Sequence, residues 1–122
     1  MRLVDSNILI YAAKPEFPQL KELLEQEDLA VSELTKLEVL GYHGLTEEAE
    51  EYFNAVFSLV TILPITSEVI DRATELRQQR NMKSADAIIA ATALLHCTEV
   101  ITRNTGDFNH IPDLIVNNPI DN

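Results

Sequence analysis

Apolar and polar positions follow two alternating periods along this chain. Short apolar runs bounded by turn-forming residues read as buried strands: residues 1–5 (MRLVD), 29–31 (LAV), 60–63 (VTIL, halted by Pro64), 99–101 (EVI) and 114–116 (LIV). Between them the apolar positions recur at helical spacing. Residues 7–13 begin a short helix that stops at Pro15, and segment 17–27 (FPQLKELLEQE) sets Leu20, Leu23 and Leu24 on one face. Ser32 is placed to cap a helix through residue 43, ended by Gly41 and Gly44. Thr46 caps the next, running to about Leu59, with Glu47 and Glu48 in the first turn where the helix dipole favours acids. Thr66 or Ser67 caps a helix to about Arg80, and Ser84 caps another from Ala85 to Cys97. Strands alternating with helices predict an α/β fold on a mainly parallel sheet, as one domain over residues 1–122. Such sheets bind ligands beyond the carboxyl ends of their strands.

Composition narrows the class. The chain shows no internal repeat or low-complexity run, and its three glycines, Gly41, Gly44 and Gly106, leave no glycine-rich phosphate loop. No apolar run is long enough to span a bilayer, and no secretory signal is expected, because Asp5 and Asn7 interrupt the first apolar stretch. The single cysteine, Cys97, excludes an internal disulfide framework and a cysteine-based zinc site. It reads as a small core residue in a reducing, cytoplasmic setting. The formal net charge of −11 excludes a protein that coats nucleic acid without sequence preference. Either the protein avoids nucleic acid, or it contacts it locally with divalent cations offsetting the acids, and the charge also suits a basic peptide or protein partner.

Most of the twenty acids lie in polar surroundings, Glu47, Glu48, Glu50 and Glu51 most plainly. Four do not. Asp5 ends the first strand. Glu38 lies in SELTKLEVLGYH among Leu34, Leu37, Val39 and Leu40. Asp86 lies in the first turn of SADAIIAATALLHC, a helix apolar almost all round and therefore central. Asp107 follows the EVI strand in ITRNTGDF. Each has an ordinary reading as a cap, a first-turn acid, a helix flank or a turn residue. Taken together, two of them stand where α/β folds place their sites and a third heads the most buried helix. If the four converge, each pair about 5 Å apart repels by roughly 3 kcal/mol at an effective dielectric near 20. Hard divalent cations, Mg²⁺ or Mn²⁺, relieve that repulsion in an all-carboxylate site.

The stretches LVDSNILIY, SELTKLEVL, SADAIIAATALLH and ITRNTGDFNHIPDLIVNNP occur in this order over essentially the whole chain. In this they resemble the PIN-domain ribonucleases, and among them the VapC-like toxins of bacterial toxin–antitoxin pairs. The resemblance implies a three-layer α/β/α sandwich and an acid cluster holding one or two Mg²⁺ or Mn²⁺ ions. It implies that Asp5, Glu38, Asp86 and Asp107 are the catalytic, metal-holding acids. Asn104 stands where many relatives carry an aspartate and would ligate through its carbonyl oxygen, with Ser6 and Thr102 positioning the acids. The activity implied is metal-assisted hydrolysis of RNA phosphodiester bonds, which needs no serine or histidine nucleophile. His43, His96 and His110 accordingly read as structural or surface residues.

Lys36, Arg80, Lys83 and Arg103 are candidates for holding RNA phosphates. A cognate antitoxin with a basic tail would use the same electrostatics. A homodimer is expected, and Tyr52, Phe53, Val56 and Phe57 offer either core packing or a surface for an antitoxin helix or a second copy. The rival from another class is a PIN-fold protein-interaction module with weak or absent catalysis, for which Asn104 is the support and the retained Asp5, Glu38 and Asp86 the objection. A phosphatase using Asp5 as nucleophile is disfavoured, since DSN lacks the second acid of a DxD pair.

Overall fold

The computed structural model describes residues 1–120. In chain order the elements are β1 (Arg2–Val4), α1 (Ser6–Ala12), α2 (Pro18–Leu24), β2 (Leu29–Ser32), α3 (Glu33–Leu40), α4 (Glu47–Leu59), β3 (Thr61–Leu63), α5 (Ser67–Gln79), α6 (Ser84–His96), β4 (Glu99–Ile101), a 3₁₀ turn (Thr105–Asp107) and β5 (Val116–Asn117). The five strands form one sheet in the order β3-β2-β1-β4-β5, and every neighbouring pair is parallel. The chain winds from β1 outward through β2 to β3, then returns to the other side of β1 for β4 and β5. The gap between β1 and β4 is therefore the topological switch point, where open α/β sheets bind ligands.

Strand alternation divides the core between the two faces of the sheet. Leu3, Ala30 and Val100, which are register partners, pack with α5 and α6 through Val69, Leu76, Ala87 and Ala90. Val4, Val31 and Ile101 pack on the opposite face with Ile8, Leu20, Val39 and Phe53 from α1 to α4. Helices thus cover both faces, giving the three-layer sandwich. Burial on both sides explains why β1, β2 and β4 read as continuous apolar runs rather than as alternating ones. On α6, Ala87, Ala90, Ala91 and Ala93 are all buried, and their small side chains let the helix lie close against its neighbours. The hydroxyl of the buried Thr92 is satisfied by the carbonyl of Ile88 at 2.7 Å.

The helix caps at Ser32, Thr46 and Thr66 form as expected, each side-chain oxygen accepting from a first-turn amide. Other boundaries differ. The first helix begins at Ser6, because Asp5 rather than a later residue caps it. The α3 helix ends at Leu40 rather than 43: Gly41 is its C-cap, and its amide closes on Leu37 O at 2.9 Å. Pro18 opens α2, and the helix stops at Leu24, shortly before Asp28 turns the chain at φ 68°. Ser84 does not cap α6. It is the first helical residue, and Lys83 occupies the cap position without a side-chain hydrogen bond. The last strand is Val116–Asn117, not 114–116. Val116 and Asn117 face Val100 and Ile101, whereas Leu114 packs into the core and Ile115 is exposed. Phe53, Val56 and Phe57 are buried among α1 to α3 and Tyr52 is half-buried against them, so this part of α4 is core and not a docking surface. Cys97 is half-buried against the α5–α6 side. No helix among the described residues is long and apolar enough to cross a membrane.

Candidate active site

Asp5 lies one residue past β1 and is only 6% exposed. Its amide donates to Ile101 O at 2.9 Å, which stitches the end of β1 to the end of β4. Its carboxylate is held from three directions. The Ser6 amide donates to Oδ1 at 2.9 Å, while Asn7 Nδ2 and Thr102 Oγ1 donate to Oδ2 at 3.0 and 2.9 Å. Asn7 also reaches Thr102 Oγ1 at 3.2 Å and accepts from the Arg103 amide at 3.0 Å, and Thr102 Oγ1 accepts from the Asn104 amide at 3.0 Å. This network locks the carboxyl ends of the two central strands around one buried acid. Burial nonetheless wins over these donors and holds the Asp5 carboxyl above its ordinary value of 3.8, and the charge of Asp107 adds to the effect.

The other acids close on the same point. Asp86, in the first turn of α6, is held above the ordinary value by burial and then by the charges of Asp107 and Asp5, with Lys83 opposing. Glu38, on the third helix, is exposed as a whole residue, but its carboxyl end is partly desolvated. Its pKa is raised by that burial and by the charges of Asp5 and Asp86, and the Ser6 hydroxyl favours its charged form. Asp107 is exposed in the 3₁₀ turn beyond β4. Residues from four separate segments thus influence one another's charge at the switch point. They do so as a spaced group: among the described residues no three His, Cys, Asp or Glu side chains stand close enough together to hold a metal ion. The donor chemistry, oxygen donors from Asp5, Glu38 and Asp86 whose ionised forms are disfavoured, beside the charge of Asp107, is of the kind a hard divalent cation takes.

A cavity of about 490 Å³ adjoins this point and is lined by Arg77, Arg80, Lys83, Asp86, Asp107 and His110, among others. Arg80 and Lys83 are therefore beside the acids. Lys36 is exposed on α3 and makes no hydrogen bond or ion pair among the described residues. Arg103 lies over the Tyr11 ring, 4.7 Å from its centroid. Asn104 is exposed, and its main chain joins Thr102 to the amide of Asp107 at 3.0 Å. His43 and His96 are exposed, and His110 Nε2 bonds Asp107 O at 3.1 Å. Sequence reasoning passed over two residues. Asn7 stands inside the DSN triplet that drew attention to Asp5. Arg77, at the end of α5, could have been read together with Arg80 and Lys83, which follow it in the link to α6.

The family model for the PIN domain matches residues 2–114. The chain belongs to the PIN-domain family. In this structure Asp5 and Thr102 follow the adjacent strands β1 and β4, and Asp86 lies in the first turn of α6. The chain is 29% identical over 124 residues to Ribonuclease VapC19 of Mycobacterium tuberculosis, covering 93% of this chain and 97% of that one. Among solved structures it resembles a chain of a toxin–antitoxin complex from Klebsiella pneumoniae, at 36% identity, TM-score 0.77 and coverage of 94% and 96%. It also resembles a chain of FitAcB from Neisseria gonorrhoeae, at 28% identity, TM-score 0.79 and 98% coverage of both.

Proposed function

We propose that this PIN-domain chain is a divalent-metal-dependent endoribonuclease, the toxin of a toxin–antitoxin pair. The observation that carries the reading is the electrostatic influence of Asp5, Glu38, Asp86 and Asp107 on one another's surroundings near the β1–β4 switch point, with the first three carboxyls raised by burial and by neighbouring charge. Perturbed acids in a strand-end cleft are the signature of a working site. The ribonuclease name of the mycobacterial relative and the toxin–antitoxin complexes of the structural neighbours support the same reading. So does the acidic surface, which suits a basic antitoxin segment.

Asp5, Glu38, Asp86 and Asp107 would hold Mg²⁺ or Mn²⁺, with Asn104 a further oxygen donor. When bound, such an ion offsets the acids' charge and activates water for in-line attack on phosphorus. The residues themselves do the positioning. Thr102, Asn7 and the Ser6 amide fix the Asp5 carboxylate so that it loses little freedom when it engages a cation. The Ser6 hydroxyl keeps Glu38 available in its charged form. Hydrolysis adds water across one P–O bond: the water oxygen joins phosphorus, that bond breaks, and the departing oxygen gains a proton.

The test is cleavage of a mixed RNA pool by the purified chain with Mg²⁺, with Mn²⁺ and with chelator, beside Asp86→Asn. Cleavage that needs the metal and falls by at least about 100-fold in the variant is the expected result, given what one charge-stabilising group contributes. Equal inactivity of both chains, without metal binding, would leave an interaction module built on the PIN fold.

A further inference from the structure

The chain carries nine Lys and Arg against twenty Asp and Glu, so where each cation goes is informative. Arg2 meets Gln26 at 2.7 Å and Glu99 at 4.0 Å, and Arg72 pairs with Glu75 at 3.2 Å. Lys21 donates to the carbonyls of Ala12 and Lys14. Lys14 and Arg103 both lie over the ring of Tyr11, at 5.0 and 4.7 Å. Lys36 is exposed on α3. The remaining three, Arg77, Arg80 and Lys83, all line the cavity of about 490 Å³ that Asp86 and Asp107 border. None of the three forms an ion pair among the described residues.

Arg77 lies in the last turn of α5, Arg80 caps that helix and Lys83 precedes α6, so the link between the two helices sets three exposed cations around one cavity. They outnumber Asp86 and Asp107, the two acids in its lining, which makes this wall a patch of positive charge in an acidic chain. Arg77 is also aimed. Its Nε donates to Met82 O at 3.1 Å, which fixes the guanidinium in the cavity wall, and its terminal amino groups make no hydrogen bond or ion pair among the described residues. A planar fork held this way gives up little further freedom on taking a phosphate.

We propose that Arg77, Arg80 and Lys83 form a clamp for RNA backbone phosphates on the Asp86–Asp107 side of the acid centre. The inference rests on the ribonuclease reading and adds a polarity to it. On the α1 side Lys14 and Arg103 are engaged with Tyr11, and Lys36, on α3, is not in the lining of this cavity. The strand is therefore gripped through its phosphates on one side of the cleaved bond.

The test uses an RNA that the wild-type chain cuts, with the cleaved bond mapped, and versions of it shortened from the 5′ or the 3′ side. Wild type, Arg77→Ala, Arg80→Ala, Lys83→Ala, the triple variant and Arg77→Lys are compared, each checked for an unchanged melting curve. Each alanine variant should raise KM about tenfold, the loss expected for a charge-assisted contact, and more than it lowers kcat. The dependence of log KM on log salt should weaken by about 0.7 for each cation removed. Arg77→Lys should keep the salt dependence while recovering only part of the KM, because it restores the charge without the fork. Shortening from one side alone should raise KM in wild type and have no further effect in the triple variant. Equal sensitivity to shortening from both sides, or salt dependence unchanged in the triple variant, would overturn the clamp while the ribonuclease stands. If the wild type cuts no RNA and Asp86→Asn binds none, the ribonuclease reading falls and the clamp falls with it.

Discussion

Asp86 shows how a single residue can be costly to the fold and necessary to the site. Its place in the first turn of α6 is worth about 0.3–1 kcal/mol through the helix dipole. Burial and the charges of Asp107 and Asp5 outweigh that, since the carboxyl is held above 3.8. The folded chain therefore binds this proton more tightly than the unfolded chain, and stability falls as pH rises through the raised value. In chelator at pH 7, Asp86→Asn should melt above wild type. The advantage should shrink as pH falls towards 4. Melting curves of both chains across that range check it, and a variant that melts lower at pH 7 refutes it. Thr102 acts in the opposite sense. It is fully buried, and its hydroxyl donates to Asp5 at 2.9 Å. Thr102→Val keeps the shape and removes the donor, at a cost of about 1–3 kcal/mol. It should also push Asp5 further up, so the rise of cleavage with pH moves to higher pH, which a loss of packing alone would not do. Of the residues in this network, the sequence pattern made Asp5 legible as a strand-end acid, and Ser6 and Thr102 were named only through the family resemblance. The double role of Asn7, bridging residues far apart in the chain, needed the β1–β4 pairing to be seen.

The element that departs most instructively from its sequence pattern is α6. Its cap position has the extended backbone of a capping residue, φ −68° and ψ 148°, yet holds Lys83, which makes no capping bond. Ser84 beside it is the better capping residue by type, so the pattern pointed one position too late. A lysine there is explained by the cavity it lines with Asp86. Lys83→Ser should therefore stabilise the fold by about 0.5–1 kcal/mol as a new cap forms, while weakening RNA binding. Thermal melting and RNA titration on the same preparation test the trade, and a serine variant that binds RNA as tightly as wild type would break it. Elements bounded by local chemistry were legible: Ser32, Thr46 and Thr66 each cap where a hydroxyl precedes an amphipathic run. Elements bounded by long-range pairing were not. Leu114, Ile115 and Val116 are alike in composition, and only the register against Val100 and Ile101 decides that the strand starts at Val116. The same holds for α4, where the sequence left Phe53, Val56 and Phe57 open between core and surface, and the contacts with α1 to α3 settle it.

At the scale of the whole molecule, the net charge of −11 and the acid centre pose one electrostatic problem with two possible remedies. Diffuse screening by monovalent salt would relieve a surface of scattered acids, because exposed charges more than about 10 Å apart interact weakly at ordinary ionic strength. It would do little for Asp5, which is buried and held at a fixed distance from its neighbours by the joined ends of β1 and β4. A cation that enters the centre relieves that acid directly. The two remedies are separable by experiment. At a Mn²⁺ concentration of 100 times its dissociation constant, a folded-state site stabilises the chain by about 2.7 kcal/mol. For a chain of this size that is a rise of about 10 °C in melting temperature. NaCl at the same ionic strength should give only a small part of it, chelator should reverse it, and Asp86→Asn should lose most of it. If NaCl reproduced the whole shift, the four acids would be a surface charge problem and not a metal site, and the assignment of Asp5, Glu38, Asp86 and Asp107 would have to be abandoned.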